Sequence, residues 1–80
     1  MKLEKSIACN SLKNFRLVLK KLASLGYVAD NGADLDTFGM SEYTFNRGIR
    51  IINLYDNKTT KYAVSDSHLK NVIEDVEFLK

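Results

Sequence analysis

Cys9 and His68 are the only cysteine and the only histidine in this 80-residue chain, so any Cys-His or Ser-His nucleophilic pair would have to use His68. Cys9 stands in a different stretch with no orienting motif around it and is expected to be a small buried hydrophobe. His68 follows Ser65-Asp66-Ser67 and reads as a surface residue at a helix start. One Cys and one His cannot assemble a zinc centre. Asp30-Asn31-Gly32-Ala33-Asp34-Leu35-Asp36 has the composition of a calcium loop. Its glycine comes third, however, and the closing bidentate glutamate is not in its place, so it reads as a polar turn. The glycines are scattered and make no phosphate-cradling loop. The expectation is a non-enzymatic protein with no metal or cofactor.

Two residue sets remain, and both point to binding. Lys13, Arg16 and Lys20, with Lys21 to one side, fall at helical spacing opposite the apolar positions and form a cationic stripe of the kind that contacts phosphates. The same stripe is also what any amphipathic helix turns to solvent. Against nucleic acid stands a pI near 8.7, below the usual range of basic domains. The second set, Asp34, Asp36, Phe38, Glu42, Tyr43 and Phe45, offers an apolar patch with an acidic rim to a protein partner, although most of its aromatics are expected to cover the core.

The elements that position these sets follow from periodicity. Asn10-Ser11 supplies N-cap side chains before Leu12, Phe15, Val18, Leu19, Leu22 and Leu25, which recur at three- and four-residue steps and predict a helix over about 12–25. Gly26 ends it. The stretch from Gly48 to Val64 holds two runs rich in β-branched and aromatic residues around Asp56-Asn57-Lys58, which predicts a β-hairpin. A two- or four-residue loop would put Ile51, Tyr55, Tyr62 and Val64 on one face and Arg50, Ile52, Leu54 and Lys61 on the other. One helix covers only one face, so the other falls to the loop of residues 31–46 or to a second molecule. Residues 2–8 suggest a short edge strand and Tyr27-Val28-Ala29 another. Residues 31–46 suggest an ordered loop with a short strand near Tyr43 to Phe45, residues 68–73 a short helix, and residues 76–79 a final strand.

Length and charge bound the rest. Eighty residues allow one domain with a modest core. With 45% hydrophobic and 28% charged residues, wholesale disorder is disfavoured. No run of about 18 apolar residues exists, and Met1-Lys2-Leu3-Glu4-Lys5 lacks the apolar stretch of a signal peptide, so a cytoplasmic protein without a membrane span is expected. The net charge of +2 hides alternating blocks: basic to Gly26, acidic from Tyr27 to Asn46, basic from Arg47 to Val64, and acidic thereafter. Such blocks attract one another within a fold before they serve any partner.

Three segments carry a resemblance: Lys21-Leu22-Ala23-Ser24-Leu25-Gly26-Tyr27 closing a helix, Gly48-Ile49-Arg50-Ile51, and Asp75-Val76-Glu77-Phe78-Leu79. They resemble small α+β accessory proteins of bacteriophages and mobile elements, except that Ala29 stands where a tryptophan often follows the Leu-Gly-Tyr step. The resemblance implies a protein that binds and blocks a host enzyme or immune component. The fold expected is a single α+β domain over 1–80, with an antiparallel sheet centred on the 48–64 hairpin, one amphipathic helix packed on it and a short second helix. The function expected is binding of a host protein through Asp34, Asp36, Phe38, Glu42 and Tyr43. The alternatives are nucleic-acid binding through Lys13, Arg16, Lys20 and Lys21, or sequestration of a nucleotide signal at the cleft of a homodimer.

Overall fold

The computed structural model describes residues 2–32, 35, 40–64 and 68–80, with 40 and 41 known by backbone alone. In chain order they form β1 (Leu3–Ala8), α1 (Leu12–Ser24), β2 (Val28–Ala29), α2 (Met40–Asn46), β3 (Ile51–Tyr55), β4 (Thr59–Ala63), β5 (Ile73–Glu74) and α3 (Asp75–Phe78). The fold is α+β, and its helix and hairpin stand where periodicity placed them. The sheet is mixed rather than antiparallel, in the order β2-β4-β3-β1-β5. Only β3 runs against the others, since β1 pairs with β5 and β2 with β4 in parallel.

α1 starts and stops on sequence signals. The Ser11 hydroxyl accepts the Asn14 backbone N–H at 3.1 Å, which satisfies one of the first-turn donors that have no helical partner. At the other end Gly26 takes φ +92°, and the Gly26 and Tyr27 N–H groups bond back to the Ala23 and Leu22 carbonyls at 3.1 and 3.0 Å. That double closure needs a left-handed residue, which glycine supplies without a Cβ penalty. The inner face buries Phe15, Val18, Leu19 and Leu22 against Ile7, Ile52 and Leu54 of the sheet. Each such side chain contributes roughly 1.5–3 kcal/mol when fully removed from water. Phe45 of α2 and Phe78 of α3 pack against the same cluster, so all three helices lie on one face of the sheet.

The hairpin exists, but its faces differ from the expectation by one residue. Its loop is the three residues Asp56-Asn57-Lys58, closed by the Lys58 N–H on the Tyr55 carbonyl at 3.1 Å, with Lys58 at φ +67°. The register therefore pairs Ile52 with Tyr62 and Asn53 with Lys61. Tyr62 joins Ile52 and Leu54 on the helix side, and Lys61 joins Ile51 and Tyr55 on the other, because a one-residue change in loop length exchanges the faces of the returning strand.

Within the chain the second face is crossed by residues 68–72, while Phe38 and its neighbours in the 31–46 stretch lie outside the described residues. From β4 the chain returns across it to the far edge: the Asn53 side-chain amide donates to the His68 carbonyl at 3.2 Å, and the Lys70 N–H donates to the Ser6 hydroxyl at 3.0 Å. Ser6 in turn donates to Asn53 Oδ1 at 2.6 Å, directly across the β1–β3 pairing. Residues 68–72 are this strap, not a helix. The expected final strand is α3, whose start is fixed by Asp75: one carboxylate oxygen accepts its neighbour Val76 N–H at 2.7 Å, and the other accepts the Asn10 N–H at 2.8 Å. β1, expected at an edge, is interior between β3 and β5.

Candidate functional site

The expected short strand around Tyr43 is the helix α2. Gly48 at φ +95° ends it, its N–H bonded to the Phe45 carbonyl at 3.0 Å. The helix changes which aromatic is available. Two residues apart, Tyr43 and Phe45 would share one side of a strand, whereas at 3.6 residues per turn they lie roughly 200° apart. Phe45 faces inward, with its ring centroid 5.6 Å from that of Phe15, and Tyr43 is left 57% exposed.

Four residues along, Arg47 lies over the Tyr43 ring at 5.4 Å and donates to its hydroxyl at 3.2 Å. Arg50 sits over the Phe45 ring at 3.5 Å and donates to the Phe45 carbonyl, which fastens the end of α2 to β3. On the side toward α1, Glu42 forms an ion pair with Arg16 at 3.2 Å, with both side chains about half exposed. An ion pair that exposed is worth at most about 1 kcal/mol. Its interest is positional, since it joins the two candidate sets into one surface.

Lys13 and Lys20 are exposed on α1 as the stripe requires. Lys21, to one side of the stripe, is engaged elsewhere: its ammonium donates to the Phe78 carbonyl at 2.5 Å and lies 4.8 Å from that ring, so it holds α3 against α1. Asp34, Asp36 and Phe38 lie outside the described residues. Arg47 was not singled out by its sequence. The signal was the four-residue step from Tyr43, legible only once that stretch is helical.

Cys9 and His68 do not come together as chemistry. Cys9 is buried, and its thiol is pushed up to about 12, first by desolvation and then by the neighbouring carboxylates of Asp75 and Glu74. It therefore stays protonated and is a poor nucleophile. His68 is exposed, and its carbonyl, held by Asn53, pins the strap. Among the described residues no group of three or more His, Cys, Asp or Glu side chains could hold a metal ion, and no helix is long and apolar enough to cross a membrane. No protein-family model matches the chain, and no curated protein or solved structure matches it either.

Proposed function

We propose that the chain is a small non-enzymatic binding protein that engages a protein partner through the outer face of α2. It would act in the host cytoplasm, as an inhibitor or anti-defence factor of the phage-encoded kind its sequence resembles. The observation that carries this reading is Tyr43, exposed and braced by Arg47. Tyrosine and arginine are enriched where interfaces concentrate their binding energy. A ring already held in place also loses less side-chain freedom on docking.

The alternative, phosphate binding by α1, keeps Lys13 and Lys20 but loses much of its stripe. Arg16 is engaged with Glu42, and Lys21 with Phe78. The two readings separate in one experiment, capture from a bacterial lysate with and without nuclease. It compares wild type, Tyr43→Ala and the double reversal Lys13→Glu/Lys20→Glu, which leaves the Arg16–Glu42 pair intact. The expected result is a captured protein that survives nuclease and the double reversal and is lost on Tyr43→Ala. The reading fails if duplex DNA or RNA binds tightly, with a logarithmic salt slope of about 0.9 per neutralised phosphate for duplex DNA, and the lysine reversal abolishes that binding.

A further inference from the structure

Resting on α2 as the docking face, we infer that the partner presents an acidic peptide segment there, one of whose carboxylates is taken by the Arg47 guanidinium beside Tyr43. Arg47 is exposed and donates to the Tyr43 hydroxyl, but it forms no ion pair among the described residues. A guanidinium carries five N–H donors in a rigid fork. One bond to a tyrosine hydroxyl leaves an edge of that fork open to a bidentate carboxylate. The cation–π contact with the Tyr43 ring and the bond to its hydroxyl orient the fork before any partner arrives.

Among the described residues the surrounding charge has the matching sign. The outer faces of α1 and α2 carry Lys13, Arg16, Lys20 and Arg47 against one described acid, Glu42, which Arg16 already engages. A surface so biased attracts an acidic segment and repels a basic one. Of the acidic rim expected from the sequence, Glu42 is paired with Arg16, and Asp34 and Asp36 lie outside the described residues.

The probe is a displayed library of random linear peptides, selected on the immobilised full chain. Recovered sequences are then synthesised and titrated against wild type, Tyr43→Ala, Arg47→Gln and Arg47→Lys, each confirmed as folded by its far-ultraviolet spectrum. The expected peptides are enriched in Asp and Glu, bind more weakly as salt rises, and lose about tenfold or more in affinity on Arg47→Gln, as removal of a charge-assisted hydrogen bond should cause. Arg47→Lys is expected to restore only part of that loss, because the fork geometry is gone. Peptides that need Tyr43 but show no acidic bias, or acidic peptides indifferent to Arg47→Gln, overturn this inference and leave the docking face standing. Peptides indifferent to both positions, or no enrichment at all, count against the docking face as well.

Discussion

The Cys9 thiol sits among Ile7, Phe15 and their neighbours with two carboxylates nearby, and each of these raises the cost of a thiolate. With the folded value raised from 9.0 to about 12, the native state holds a proton that the unfolded chain releases between those limits. This contribution is complete below pH 9 and is lost as pH climbs toward 12, with a slope of at most about 1.4 kcal/mol per pH unit for one proton. Tyr62, raised by burial, acts in the same direction. Urea titrations across the alkaline range should show stability falling in wild type and a shallower fall in Cys9→Ala, whatever the absolute cost of that truncation. Parallel slopes would mean that the thiol does not titrate with unfolding. The sequence made the burial of Cys9 legible, because the residue type favours it. The carboxylates beside it, Asp75 and Glu74, come from more than sixty residues away, between the expected helix at 68–73 and the expected strand at 76–79.

At the scale of elements, legibility followed the local signals. α1 carried a cap, a period and a closing glycine, and it formed as written. The short elements did not carry such signals. α2 is a seven-residue helix, too brief for its period to separate from the alternation of Tyr43 and Phe45. α3 depends on the reach of Asp75 to Asn10, a tertiary bond that local propensity does not encode. The hairpin loop was hidden for a related reason. A three-residue loop normally announces itself by glycine at its left-handed position, and here that position is Lys58. Lysine is held there by its side chain, which donates to the Leu25 carbonyl at 3.2 Å and lies 4.6 Å from the Tyr27 ring, while its carbonyl accepts the Val28 N–H at 3.0 Å. The two effects separate by substitution. Lys58→Ala loses the side-chain contacts and keeps the strain, whereas Lys58→Gly loses the contacts and relieves it. The glycine variant should therefore be the more stable of the two by about 1 kcal/mol. An alanine variant equal to the glycine one in thermal denaturation would show that the left-handed position costs nothing here.

At the scale of the whole molecule, two crossovers close the two faces of one sheet. From β1 the chain crosses one face through α1 to reach β2. From β4 it returns across the opposite face, in the opposite direction, to β5, so the two crossovers share one hand. The sequence showed one helix and a hairpin apolar on both sides, which left a homodimer open as cover for the second face. The strap supplies that cover within one chain: Ser6, Ile51 and Asn53 are all buried without a partner molecule. The two edges offer little else to pair with, since β2 and β5 are two residues each, and short edges are a common guard against strand addition. Sedimentation over a wide concentration range should therefore give a constant mass of 9.1 kDa. Ser6→Ala tests the cause, because it leaves Asn53 Oδ1 and the Lys70 N–H without their shared partner at a cost of about 1–3 kcal/mol. This variant should lose stability, and protease should cut near the loosened strap sooner than in wild type. A wild-type mass that doubles with concentration, or a Ser6→Ala variant as stable and protease-resistant as wild type, would show that the strap is not what closes the second face.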